Sequence, residues 1–141
     1  MTTVCQNRKA RFEYEIIDTL EVGIVLFGTE VKSLRNNLAS LDGSYAIIED
    51  GQIILVGCHI EPYSHGNIHN HNPKRNKTLL LHKREIKKFA EKAKIKGYTL
   101  VPLSLYFNKG KAKVELAICK GRQIHDKRDA IKKRDALREM E

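Results

Sequence analysis

The chain has 141 residues, of which 41% are hydrophobic and 30% charged, and its formal net charge is +9 at pH 7. This length is typical of one domain, and no apolar run approaches the roughly 18–20 residues of a transmembrane helix. So basic a chain favours a polyanionic partner, RNA or DNA, over a neutral metabolite. Its three cysteines show no CxxC spacing, which argues against a disulfide framework and a cysteine zinc site. The polar, basic start of the chain lacks a signal-peptide core, so we expect a cytoplasmic protein.

Alternating apolar residues predict β-strands in the first half of the chain. Every even position from 12 to 26 is apolar except Asp18. This series predicts one bent strand, or two strands joined near Asp18, with a single face in the core. The spacing of Val31, Leu34 and Leu38 predicts a short helix with Thr29 as its N-cap. Segments 45–49 and 52–58 flank an Asp-Gly pair that is typical of a type I′ hairpin turn.

The second half of the chain continues the mixture of strands and helices. A polar, irregular loop covers 62–77, a short strand covers 78–81, and an amphipathic helix covers 83–96. Odd positions from 99 to 107 predict a strand with one apolar face. Because Pro102 lacks an N–H, this strand should lie at a sheet edge or carry a bulge at Pro102. The even positions from 112 to 118 predict the core face of a last strand.

The fold class predicted from this pattern is mainly β, an antiparallel OB-like closed barrel of about six strands with two to three short flanking helices. We assign residues 1–119 to the barrel. Residues 120–141 contain few apolar positions, so we expect a basic C-terminal tail that is disordered when free and helical when bound in a groove. We expect the protein to be a monomer.

A basic cluster at 74–96 is the main sign of nucleic-acid binding, with ten Lys or Arg residues and two acidic residues. The alternative is a solvated helix face, but several phosphate contacts would give strong, salt-sensitive RNA binding. An exposed Tyr63 and the histidines of the 62–77 loop would stack on unpaired bases.

Metal binding and catalysis are weaker alternatives. His65, His69 and His71 lie close together in sequence, but no cysteine or carboxylate nearby completes a ligand set. The chain contains none of the common catalytic or nucleotide-binding motifs. His125 and Asp126 are adjacent, but they lie in a segment with no scaffold to hold them as a general-base pair. We therefore expect no enzyme, no cofactor and no metal.

Five sequence motifs, in this order and spacing, together resemble the SsrA-binding protein (small protein B) family of bacteria, from about residue 7 to the C-terminus. The motifs are Asn-Arg-Lys-Ala-Arg-Phe-Glu-Tyr at 7–14, Gly-Thr-Glu-Val-Lys-Ser-Leu-Arg at 28–35, Asn-Pro-Lys-Arg at 72–75 with Leu-Leu-Leu-His-Lys-Arg-Glu-Ile at 79–86, Leu-Ser-Leu-Tyr-Phe at 103–107, and Lys-Gly at 120–121 with His-Asp-Lys-Arg at 125–128.

The resemblance implies a non-catalytic RNA-binding adaptor of trans-translation. Such a protein binds the tRNA-like domain of transfer-messenger RNA (SsrA RNA) and, with elongation factor Tu, delivers the alanyl-RNA to stalled ribosomes. Its tail probes the empty mRNA channel and the decoding centre, which is built of 16S rRNA. The alternative function is a generic structural or single-stranded RNA-binding OB module, and a metal-dependent nuclease using the loop histidines is a third.

The resemblance also implies individual site residues. The RNA-binding residues would be Lys9, Arg11, Glu21, Lys32, Arg35, Asn36, Arg75, Lys77, Leu80 and Lys113. The tail residues at the decoding centre would be Gly121, His125, Asp126, Lys127 and Arg128. Lysine and arginine would neutralise phosphates, whereas the Glu21 carboxylate would accept hydrogen bonds from a base. Leu80 is alternatively a core residue.

Overall fold

The computed structural model describes residues 2–63 and 70–121. Its three helices in these ranges are α1 (Arg8–Glu13), α2 (Gly28–Arg35) and α3 (Lys83–Ala93). The strands are β1 (Thr2–Gln6), β2 (Tyr14–Ile24), β3 (Ala39–Ser40), β4 (Tyr45–Glu49), β5 (Gln52–Val56), β6 (His59–Ile60), β7 (Lys77–Leu80), β8 (Tyr98–Asn108) and β9 (Lys111–Gly121).

Six antiparallel strands close a ring. The sheet runs from β8 through β4, β5, β7 and β2 to β9, and a further pairing of β9 with β8 closes it. The first half of β8 pairs with β4 at Leu100, and its second half pairs with β1. The separate β3–β6 pair forms a small second sheet. The mainly-β fold with about six ring strands and short helices is therefore confirmed.

The hairpin between β4 and β5 forms where the sequence predicts it. Asp50 and Gly51 both have positive φ angles, 50° and 74°, as a type I′ turn requires at its two central residues. This turn sets the register in which Ile47 faces Ile54.

The long strand predicted at 12–26 begins later than expected. Residues 12 and 13 lie instead in α1, whose N-cap Asn7 accepts a hydrogen bond from the Ala10 amide at 3.3 Å. The Asn7 amide group also donates to the Pro102 carbonyl at 3.0 Å. Burial of Ala10 then fixes the helix against the outside of the sheet. These are long-range contacts, so the local alternation could not indicate them.

Bulges in β2 and β8 divide the core into two clusters, so the prediction of one continuous apolar face is wrong for these two strands. It is confirmed for β9, whose even positions from 112 to 118 all pack in the main cluster. In β8 the register shifts between Pro102 and Ser104, which confirms the predicted irregularity at Pro102. Leu100 and Leu105 consequently pack in the ring interior, whereas Val101 and Leu103 pack in a second cluster with Ala10 of α1.

The structure also corrects the predicted N-cap of α2 and the predicted end of α3. Helix α2 begins one residue before Thr29, and its N-cap is Phe27, whose backbone N–H donates to the Glu30 carboxylate at 2.7 Å. Helix α3 ends at Ala93, three residues before the predicted end. Its Phe89 is buried in the main core, as its apolar stripe predicts. The described residues include no helix long and apolar enough to cross a membrane.

Candidate nucleic-acid interface

Polar side chains lie together on the outer face of β2, β9 and β8, where α1 does not cover the sheet. The register pairs Glu21 with Glu115, Glu115 with Ser104, and Lys113 with Tyr106. Their sequence neighbours, such as Val22, Val114 and Leu105, are buried in the ring interior. Because side chains alternate between the two faces of a strand, these polar groups share the outer face. We call the set Glu21, Ser104, Tyr106, Lys113 and Glu115 the outer polar face.

Glu21 is held as an ionised acceptor on this face. The Tyr106 hydroxyl donates to one carboxylate oxygen at 2.6 Å, and the Asn108 amide group donates to the other at 3.4 Å. The hydrogen bond from Tyr106, the bond from Asn108 and the charge of Lys113 hold the pKa of Glu21 below its usual value. Burial and the neighbouring carboxylate raise the pKa of Tyr106. Tyr106 and Asn108 were not predicted as site residues, because they lie 85 and 87 positions from Glu21 in sequence.

Helix α1 brings Arg11 to the same face. Its guanidinium lies 3.7 Å from the Glu115 carboxylate, and the side chain is 54% exposed. Such an exposed pair contributes little stability, so Arg11 is available to a partner. Lys9, on the same helix, is exposed and lines a cavity of 330 Å³ that also contacts Tyr45 and Thr99.

Helix α2 presents the second group of predicted RNA-binding residues, all of them exposed. The Lys32 ammonium lies 5.4 Å from the centroid of the Tyr63 ring, and the Arg35 guanidinium lies 5.5 Å from that of Phe107. The Asn36 amide group donates to the Lys32 carbonyl at 3.4 Å at the end of the helix.

A cavity of 480 Å³ connects this helix with the β8–β9 turn. Arg35 lines it on one side, and Lys109 and Gly110 of the turn line it on another. Asn108, which bonds to Glu21, directly precedes Lys109. Arg35 of α2 is therefore adjacent to the turn that follows Asn108.

Lys77 does not lie at the surface, and its predicted contact with RNA needs correction. Its side chain has no exposed area, and its ammonium donates to the carbonyls of Cys58 at 2.9 Å and Arg75 at 2.6 Å. Burial lowers the pKa of Lys77, while the nearby Glu30 carboxylate, 4.0 Å away, opposes that shift. An ammonium in this position is not accessible to a phosphate.

Arg75 is largely committed to the same internal network. Its guanidinium donates to the two oxygens of the buried Glu30 carboxylate at 2.6 and 3.2 Å, and to the Val25 carbonyl at 3.1 Å. The guanidinium also lies 4.1 Å from the Phe27 ring centroid. With 24% of its side chain exposed, Arg75 acts chiefly as the link between α2 and the start of β7.

Leu80 lies on the surface, which excludes the alternative that it is a core residue. It is 56% exposed and packs across Gly23, where an added Cβ would lie 3.2 Å from the Leu80 Cβ. The register places Gly23 between Leu80 and Lys113. Leu80 therefore adjoins the outer polar face.

The structure corrects the prediction that Tyr63 and His71 are exposed for stacking on RNA bases. Tyr63 is half-buried rather than exposed, and Lys32 lies over its ring. His71 is buried, with Nε2 donating to the Ile60 carbonyl at 2.9 Å and Nδ1 bonded to the Thr29 hydroxyl at 2.8 Å. It is a structural residue and cannot stack on RNA.

Some predicted residues lie outside the described residues, namely His65, His69, His125, Asp126, Lys127 and Arg128. Gly121 is the last described residue, exposed at the end of β9, where its amide donates to the Gly97 carbonyl at 3.3 Å. Within 2–63 and 70–121, no three His, Cys, Asp or Glu side chains are placed to hold a metal ion.

Comparison with known proteins gives one consistent family. Residues 4–141 match the SmpB protein family. An SsrA-binding protein of Desulforudis audaxviator is 54% identical over 138 residues, covering 98% of this chain and 90% of the relative. One from Syntrophobacter fumaroxidans is 49% identical, covering 98% and 86%.

A solved structure agrees with this assignment. A chain from the structure described as "tmRNA-SmpB: a journey to the center of the bacterial ribosome" superimposes with a TM-score of 0.72 and 45% identity, covering 90% of this chain and 93% of that one. Sequence and fold thus lead to the same result: this chain belongs to the SmpB family of SsrA-binding proteins.

Proposed function

We propose that this protein is a non-catalytic RNA-binding adaptor that acts in the cytoplasm in trans-translation. It binds the tRNA-like domain of transfer-messenger RNA and, with elongation factor Tu, delivers the alanyl-RNA to stalled ribosomes. The observation that carries this proposal is that membership of the SmpB family coincides with exposed cations on α1 and α2 and with an ionised Glu21 near Lys113 on the outer polar face. A generic RNA-binding barrel would not need that carboxylate.

The RNA-binding surface in this proposal joins α1, the outer polar face and α2. Its cations neutralise phosphates and position the RNA, which makes binding depend on salt. Phosphate repels Glu21, so its role is to accept hydrogen bonds from base amino or imino groups, which gives specificity. The surface residues are Lys9, Arg11, Glu21, Lys32, Arg35, Asn36, Leu80 and Lys113.

Arg75 and Lys77 support this surface from within. Their bonds to Glu30 and to the Cys58 carbonyl hold the start of β7 against the N-terminal turn of α2. Because α2 carries Lys32 and Arg35, the internal network sets the direction in which these two cations point. We assign Arg75 and Lys77 this positioning role in place of direct phosphate contact.

The tail, residues 120–141, has a separate role in the proposal. Gly121 ends the last strand at the surface, so the following segment can leave the barrel. His125 stacks on an rRNA base in the decoding centre, Lys127 and Arg128 neutralise rRNA phosphates, and Asp126 completes the motif. The tail acts only on the ribosome, whereas the barrel acts on transfer-messenger RNA.

Reconstituted translation tests the proposal and the separation of the two roles. Ribosomes stalled at the end of a truncated mRNA receive charged transfer-messenger RNA, elongation factor Tu and this protein, and tagged peptide is measured. We expect tagging to require the protein. His125→Ala should bind the RNA normally yet tag poorly, whereas the Lys32→Ala, Arg35→Ala pair should regain tagging when RNA is raised. Tagging without the protein, or lost RNA affinity in His125→Ala, would contradict the proposal.

A further inference from the structure

Three large apolar side chains are exposed together at the end of β2. Val25 is 43% exposed, Phe27 53% and Leu80 56%. Scattered single apolar residues are normal on a protein surface, but a contiguous group commonly marks a contact with a partner. Leu80 belongs to the proposed RNA-binding surface, whereas Val25 and Phe27 are not among its residues.

The three side chains form one patch. The Val25 amide donates to the Thr78 carbonyl at 3.0 Å, which extends the β2–β7 ladder past the pairing of Gly23 with Leu80. The pleat therefore places Val25 and Leu80 on the same face. The Arg75 guanidinium donates to the Val25 backbone carbonyl and lies 4.1 Å from the Phe27 ring centroid, so the Phe27 ring lies close to this end of β2. We call Val25, Phe27 and Leu80 the apolar platform.

The platform is held in place before any partner arrives. The Phe27 backbone is fixed by its hydrogen bond to Glu30, and the guanidinium against its ring is fixed by two bonds to the same buried carboxylate. A ring with few rotatable bonds on such a support loses little entropy when it binds. The Glu30 carboxylate also occupies the N-terminus of α2, so this site offers an aromatic surface and not a phosphate pocket.

The surroundings identify the kind of partner. The Arg75 guanidinium covers one face of the Phe27 ring, and the residue is still 53% exposed, so a planar group can approach the other face. Lys113 lies across Gly23 from Leu80, and the chain as a whole carries a net charge of +9. This charge favours a polyanion over an apolar protein helix. Within a polyanionic RNA, an unpaired nucleobase is the group with a flat apolar face.

We infer that the apolar platform binds one unpaired nucleobase of the partner RNA, which stacks on Phe27 while Val25 and Leu80 contact its edge. Phe27 is thereby a binding residue in addition to those proposed above. The inference rests on the proposed function for the identity of the RNA. Stacking of one base on an aromatic side chain is worth about 1–3 kcal/mol, or about 5- to 150-fold in affinity.

The chain contains no tryptophan, so Phe27→Trp introduces a single fluorescent reporter at the platform. Titration with the tRNA-like domain of transfer-messenger RNA should quench the tryptophan strongly, with affinity within about twofold of the unsubstituted protein. Ile47→Trp is the matched control, because Ile47 is 38% exposed on β4 and lies outside both the platform and the cavity beside Lys9. Equal quenching of the two reporters would overturn the inference.

Phe27→Leu tests the aromatic surface itself, because it keeps an apolar side chain without a π face. Affinity should fall by about 5- to 150-fold, while the slope of log affinity against log salt stays unchanged because no phosphate contact is lost. Unchanged affinity, or a smaller slope, would overturn the inference. Failure of the unsubstituted protein to bind this RNA would instead refute the proposed function. Circular dichroism establishes that each variant is folded, and the Phe27→Trp reporter gives an answer should Phe27→Leu unfold.

Discussion

Lys77 should behave as a structural residue, and Lys77→Met separates this role from direct RNA contact. Methionine preserves the length of the side chain but removes its ammonium. The change leaves the carbonyls of Cys58 and Arg75 without their buried donor. Glu30 retains its pair with Arg75, so the substitution does not isolate a buried carboxylate.

The expected loss of stability follows from these two carbonyls. Each buried polar group that loses its partner costs about 1–3 kcal/mol. Removal of the desolvated ammonium, whose pKa burial lowers, offsets part of this cost. We therefore expect a loss of about 3 kcal/mol, which lowers the Tm by roughly 10–15 °C for a folded unit of this size.

Thermal unfolding and RNA binding are measured together, with Lys113→Met as the matched control. Arg75 still bonds to Glu30 in Lys77→Met and keeps α2 in place. The variant should therefore lower the Tm but, where it remains folded at 25 °C, bind RNA within about twofold with the same salt slope. Lys113→Met should do the reverse, with a nearly unchanged Tm and a slope smaller by about 1. An unchanged Tm with a reduced salt slope in Lys77→Met would refute the buried-network account.

Three further predictions follow from the same surfaces. Lys32→Ala with Arg35→Ala should lower the salt slope of RNA binding by about 1 to 2. Filter binding from 50 to 300 mM salt measures this slope, and a slope equal to that of the unsubstituted protein would contradict the prediction. Cys58 and Cys119 are fully buried, and burial raises the pKa of both thiols, to about 11 for Cys119. Iodoacetamide at pH 7.5 should therefore modify these two cysteines only after urea is added. In the folded protein the pKa of Glu21 is lowered from 4.5. The difference in free energy of unfolding between the unsubstituted protein and Glu21→Gln should therefore be constant above pH 4.5 and shrink below it. A difference that does not depend on pH down to 2.5 would contradict this linkage.

Local signals predicted the parts of the fold that depend on a few neighbouring residues. The Asp50-Gly51 turn is one, because positive φ at both residues is a property of that pair. Pro102 indicated an edge or a bulge because it lacks an N–H. It could not show that the bulge moves Val101 and Leu103 to a second core cluster, since that cluster exists only once α1 packs there.

The candidate site was harder to predict because its contacts connect distant parts of the chain. Arg75 and Lys77 resemble any basic residues in a polar loop until Glu30, 45 residues before Arg75, is placed beside them. The same holds for Tyr106, whose partner Glu21 is 85 residues away. By contrast, Lys32 and Arg35 lie on one short helix, and both are exposed as a surface role requires.

A competition gel shift at about 150 mM salt, where screening suppresses weak electrostatic binding, tests selective recognition most directly. The labelled tRNA-like domain of transfer-messenger RNA is bound to this protein and challenged with excess ordinary tRNA and with single-stranded RNA. We expect the complex to persist, because Glu21 and the platform read features other than phosphate charge. Equal displacement by every competitor would contradict selective recognition and leave only a basic barrel with general RNA affinity.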